Sequence, residues 1–131
     1  MYAIMKNFTG YMPCVEYNRN IPKSMNMTKP FPSLIDTLPP FGGHFTAREL
    51  RGDQANVLFA SYPAGTSIPS HSHDTENIGV VTQGTLELLT NGRSSLYRCG
   101  DWYHLPAGQE HAAFFPEDTA IVEFWFHRNK D

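Results

Sequence analysis

Gly65-Thr66-Ser67-Ile68-Pro69-Ser70-His71-Ser72-His73-Asp74-Thr75-Glu76-Asn77-Ile78-Gly79-Val80-Val81-Thr82-Gln83-Gly84 is the stretch on which the reading of this chain turns. Two histidines separated by one residue precede an apolar, β-branched run that closes on glycine. Side chains alternate faces along an extended segment, so His71, His73, Thr75 and Asn77 share a face if it is continuously extended, and Glu76 points the other way. A second patch, Gly100-Asp101-Trp102-Tyr103-His104-Leu105-Pro106-Ala107-Gly108-Gln109-Glu110-His111, sets a third histidine behind a Pro-x-Gly turn. From another strand His111 can enter the same cavity, giving three imidazoles and one amide oxygen. Neutral imidazole suits first-row metals such as Zn, Fe, Mn, Ni or Cu, and three protein ligands leave positions open for water or substrate. Two alternatives stay open here. Glu76 could turn inward through a local bulge, or the site could be metal-free, its histidines hydrogen-bonding within a polar interior.

Outward from these patches the texture is that of an all-β protein: short apolar and polar runs broken by turn residues every ten or so positions. Strands are expected over 44–50, 55–62, 77–82, 85–90, 95–98, 102–105, 112–115 and 119–127. Asn91-Gly92 marks a tight hairpin, since both residues tolerate left-handed dihedrals. Gly52-Asp53, Pro63-Ala64-Gly65, Gln83-Gly84, Pro106-Ala107-Gly108 and Pro116-Glu117-Asp118 supply further corners. No internal repeat and no alternation of strands with helices is evident, so a barrel of two sheets is the expected architecture.

Residues 1–40 differ from the rest. They hold all five methionines and six of the ten prolines, with no periodic pattern. Prolines at 13, 22, 30, 32, 39 and 40 disfavour a long helix, leaving an extended arm or a partly disordered leader. An arm crossing to a second subunit would imply a homodimer. The barrel domain is assigned to 41–131. At 131 residues, 40% hydrophobic and 18% charged, the chain can bury one core. A net charge of −3 without a run of like charge points away from nucleic acid and anionic membranes, and no apolar run approaches the span of a bilayer. Cys14 and Cys99 read as reduced, and no signal peptide is evident, so a cytoplasmic protein is expected.

The two patches resemble the motifs of the cupin superfamily. Its first motif, G-x5-H-x-H-x3,4-E-x6-G, is met at Gly65, His71, His73 and Gly84, with Asn77 where glutamate is usual. Its second, G-x5-P-x-G-x2-H-x3-N, is met at Gly100, Pro106, Gly108 and His111, with Phe115 replacing the asparagine. The resemblance implies a jelly-roll β-barrel with a divalent metal near one mouth, held by His71, His73, His111 and, in place of the usual carboxylate, Asn77. Three imidazoles and an amide leave the charge of the metal uncompensated, which favours an anionic substrate or bound hydroxide. Small cupins of the pectin-degradation type, which open the ring of unsaturated uronates, are similar in a narrower way. They carry an amide at this glutamate position, and their last strand resembles Glu117 to Trp125, placing Glu123 at an inward acid and Trp125 at an aromatic position.

Glu123 stands out on its own account, because a carboxylate inside an apolar strand must be solvated, paired or useful. If it faces the cavity it can move protons. The other parity turns Glu123 to water and Phe124 and Phe126 to the core. Arg48 is a candidate to clasp a substrate carboxylate through a bidentate pair. Tyr62 and Tyr103 read mainly as core residues, and His44, His104 and His127 as hydrogen-bonded or surface histidines. Three functions follow: a metal-dependent enzyme opening or isomerising a small anionic, sugar-like compound with Glu123 as proton carrier; an Fe- or Mn-dependent dioxygenase; and a non-catalytic small-molecule-binding module.

Overall fold

Alternating burial along short segments builds ten strands in a computed structural model that describes residues 29–42 and 45–128. In chain order they are β1 (Pro40–Phe41), β2 (Thr46–Arg51), β3 (Ala55–Tyr62), β4 (Ser67–His71), β5 (Asn77–Gln83), β6 (Thr85–Thr90), β7 (Arg93–Arg98), β8 (Trp102–Leu105), β9 (His111–Phe114) and β10 (Thr119–Phe126). They form a larger sheet in the order β1-β2-β3-β10-β5-β8 and a smaller one in the order β4-β9-β6-β7, every neighbouring pair antiparallel. This is the expected all-β jelly roll. One face of each sheet turns inward and the two enclose a single interior, as period-two alternation requires.

The core shows that alternation directly. Ala47, Ala60, Tyr62, Val81, Leu86, Leu88, Tyr103, Leu105, Phe115 and Ile121 form one buried cluster drawn from both sheets. Asn91 and Gly92, at φ 52° and 74°, make the tight hairpin between β6 and β7. A two-residue turn leaves no slack, so β7 starts at Arg93 rather than at 95. Gly84, at φ 75°, lets β5 turn into β6 where an added Cβ would meet the backbone of Asp118 and Thr119.

Several sequence-based expectations shift. The segment 71–77 is not continuously extended: β4 ends at His71, a loop crosses between the sheets, and β5 begins at Asn77. Residues 1–28, which carry most of the proposed arm, and His44 lie outside the described residues. The described part between 29 and 41 holds a 3-10 turn over Ser33–Thr37, and β1, which straddles the boundary drawn at residue 40, pairs with β2. Phe31 is buried edge-on against Phe59, with ring centroids 5.5 Å apart, over the outer face of the larger sheet. Cys99 is disulfide-bonded, which corrects the reduced state expected of it; Cys14 lies outside the described residues. Among the described residues no helix is long and apolar enough to cross a membrane.

Candidate metal centre

His71 and His111 face each other across the β4–β9 pair, and His73 reaches them from the loop that leaves β4. That loop is held in place because the amide of Gly108, itself at φ 83°, donates to the His73 carbonyl at 2.6 Å. The Pro106-Ala107-Gly108 turn therefore positions the second histidine as well as leading into the third. Ring centroids lie 4.8 Å apart for His71 and His73, 4.4 Å for His71 and His111, and 4.6 Å for His73 and His111. One ring nitrogen from each lies within 4.8 Å of the other two.

The hydrogen bonds settle which nitrogens are available. Nδ1 of His71 donates to the Pro69 carbonyl at 2.9 Å, and Nδ1 of His111 to the Gln109 carbonyl at 3.0 Å. Each ring thus carries its proton on Nδ1 and presents an Nε2 lone pair, the arrangement by which backbone carbonyls orient metal-binding imidazoles. Nε2 of His73 lies 3.0 Å from Nε2 of His71. Burial pushes the His73 pKa down to about 4, with His111 and then His71 adding to the effect. His111 is lowered by burial and by His71 against the opposing bond to Gln109. Both rings are held neutral, as metal ligation needs.

Asn77 is 2% exposed and lines the same cavity. Its Nδ2 donates to the Phe124 carbonyl at 3.1 Å, and among the described residues no donor reaches its Oδ1. A buried amide oxygen without a partner suits a cation. Its inward placement comes from alternation within β5, where Asn77, Gly79 and Val81 are buried, not from the shared parity with the histidines. Glu76 faces outward. Its carboxylate accepts from the Ala107 amide and pairs with Nε2 of His104 at 2.7 Å, and those two contacts hold it below its ordinary pKa. The donor set of three imidazoles and one free amide oxygen fits a divalent first-row metal.

Behind the histidines lies a cavity of ≈ 610 Å³. Glu123 is 3% exposed within it and shares the inward face of β10 with Trp125. Tyr62 donates its hydroxyl to Oε2 of Glu123, and Trp125 Nε1 donates to Oε1 at 3.0 Å. Burial raises the Glu123 pKa, while the bonds from Tyr62 and Trp125 oppose that rise. Trp125 also sets its ring edge-on against His73, centroids 4.6 Å apart, so a single side chain links the carboxylate to the histidines. Tyr103, expected mainly in the core, is buried there, and its ring reaches the neighbourhood of Glu123. Gly79 pairs with Tyr103 on one side and with Glu123 on the other, and an added Cβ at Gly79 would meet the Tyr103 ring at 2.4 Å. The ring lies across β5 towards Glu123, and burial followed by the charge of Glu123 drives the Tyr103 pKa up.

Arg48 is not brought to the cavity. Its inward neighbours on β2 are Ala47 and Glu49, and its guanidinium donates to the Leu38 carbonyl at 3.1 Å, fastening the segment ahead of β1. Glu49 lines the cavity instead, bonded to Asn56 at 3.4 Å and to Arg51 at 2.9 Å. Nothing in a two-residue period says which parity of β2 faces in.

A family model described as Cupin domain matches residues 58–127. No curated protein sequence matches the chain. Solved structures with a similar fold include an RmlC-like cupin from Shewanella frigidimarina, 16% identical over 73% of this chain and 89% of that one, with a TM-score of 0.63. KdgF from a Halomonas species is 20% identical over 71% of this chain and 92% of that one, with a TM-score of 0.62. A Cupin 2 conserved barrel domain protein from Salinispora arenicola is 22% identical over 66% of this chain and 78% of that one, with a TM-score of 0.59. At such identities the likeness is one of fold.

Proposed function

The chain belongs to the cupin family, and on that footing we propose that it is a metal-dependent enzyme that moves a proton on a small substrate held between the three histidines and Glu123. One observation carries this: a buried carboxylate with a raised pKa sits in the same cavity as the three histidines, one side chain away from them. His71, His73 and His111 would hold the ion, with Asn77 Oδ1 as fourth donor. A divalent metal there supplies Lewis-acid polarisation of a bound carbonyl or hydroxyl oxygen. Glu123 does the rest. Protonated, it gives a proton to the substrate; as a carboxylate it takes one, steadied by the bonds from Tyr62 and Trp125. The buried walls keep water from competing for that proton. Ring opening or isomerisation of a sugar acid, as the narrower resemblance implies, is one reaction of this type, and KdgF shares the fold.

The test is exchange of carbon-bound hydrogen. Metal-loaded protein in D2O with a panel of enolisable 2-oxo acids and uronic acids is expected to exchange the hydrogen next to the carbonyl of at least one member. Glu123→Gln should keep the metal and lose the exchange by about 100-fold or more. Undiminished exchange in that variant would remove Glu123 from the chemistry. A dioxygenase is the second reading, favoured by the apolar walls of the cavity. Oxygen uptake by Fe(II)-loaded protein in the presence of a panel member would select it.

A further inference from the structure

The walls of the cavity say more about the ligand than the histidines do. Four aromatic rings run in contact from its edge inward. Phe41 stacks on Phe45 at 6.3 Å, Phe45 packs on Tyr62 at 4.7 Å, and Tyr62 lies flat on Phe115 at 4.1 Å and 6°. Opposite them stand aliphatic side chains from the smaller sheet, among them Ile68, Leu86 and Leu88. Polar groups away from the histidines are few, Ser70 and the Tyr103 hydroxyl among them, and several already have partners. Tyr62 and Trp125 bond Glu123, and Asn56 bonds Glu49. Among the described residues no Lys or Arg lines the cavity, and its one charged group outside the histidine–Glu123 end is the acidic Glu49.

A polyhydroxy acid brings a hydroxyl group on nearly every carbon, and each must exchange water for a partner on entering. These walls offer almost none. An apolar body loses nothing by entering and gains from leaving water. The donor set contributes no negative charge of its own, so a ligand bearing one anionic oxygen completes it.

We propose that the cavity takes an amphipathic monoacid, a compound with a planar or aliphatic apolar body against the Phe41–Phe45–Tyr62–Phe115 wall and a single acidic oxygen group at the histidines, rather than a sugar acid. This rests on the metal-site reading above and names its substrate class. The ≈ 610 Å³ of space admits a body of two fused rings.

The experiment compares 2-naphthoate with galacturonate, two monocarboxylates that differ in body, by calorimetric titration of metal-loaded wild-type protein. Methyl 2-naphthoate, which lacks the acid, is the third ligand. Expected are binding of 2-naphthoate at least tenfold tighter than galacturonate and at least tenfold tighter than its own ester. Ile68→Asn, at a half-buried position of the wall, should weaken 2-naphthoate several-fold and leave galacturonate unchanged, with folding verified by circular dichroism. Galacturonate binding as tightly as 2-naphthoate, equal binding of acid and ester, or no binding of 2-naphthoate would each overturn the proposal. Metal content measured on the same samples separates the two readings. Protein that takes up no metal overturns the metal site, whereas metal-loaded protein that prefers galacturonate overturns the apolar ligand alone.

Discussion

A carboxyl group 3% exposed among aromatic rings is costly to ionise, and Glu123 shows the cost in its raised pKa. Folding favours its protonated form. Its contribution to stability is therefore whole below the unfolded value of 4.5 and is lost as pH rises through the higher folded value. Glu123→Gln is neutral at every pH and keeps the shape. Its unfolding free energy should exceed that of the wild type near pH 8 by about 1–3 kcal/mol, and the two should converge near pH 4; a variant less stable at both would contradict the buried placement. His73 runs the opposite way. Its folded pKa of about 4 lies below the ordinary 6.5, so stability is whole above 6.5 and falls as pH drops towards 4. In metal-free protein its ring carbons should report a neutral imidazole at pH 5.5 by NMR, and a protonated ring there would refute the geometry. The three histidines were legible from the spacing of the two patches, but Asn77 was reached through a shared parity that the loop after β4 breaks. Whether Glu123 faced inward depended on the parity of β10, which only its partners β3 and β5 decide.

Elements fix what single residues cannot. β5 carries Asn77 at one end and Gly79 in its middle, and Gly79 is glycine because the Tyr103 ring occupies the space of a Cβ. Gly79→Ala should lose about 1–3 kcal/mol in urea unfolding through that collision; an unchanged midpoint would show that the ring has room to move. Gly92→Ala, at φ 74° in the hairpin far from the histidines, should cost about 1 kcal/mol and leave metal content untouched. The hairpin was legible because its signal is confined to two adjacent residues. β4 was not legible as a strand, since Ile68-Pro69-Ser70 lacks both an apolar run and alternation, and its partner β9 defines it. Arg48 failed as a cavity residue for the same reason as Glu123 stayed open: period two permits two answers, and burial of Ala47 chooses between them. Gly79 went unread because the ring it accommodates comes from a strand distant in sequence.

At the scale of the molecule, two sheets of opposed inward faces make a chamber that gathers His71, His73, His111 and Glu123 and is otherwise lined mainly by apolar side chains. The class of fold was legible from turn spacing and from the two glycine-bounded patches. The character of the chamber was not, because Phe41, Phe45, Tyr62 and Phe115 come from separate segments and form a wall only once β2, β3 and the end of β9 close on one another. Everything said of chemistry depends on those three imidazoles meeting at one ion. Elemental analysis of wild-type protein and of His111→Ala, both loaded with a divalent metal and then desalted, tests that most directly. About one ion per chain is expected in the wild type, with the variant at least tenfold lower in content while still folded. Wild-type protein that retains no metal, or a variant that retains as much, would contradict it.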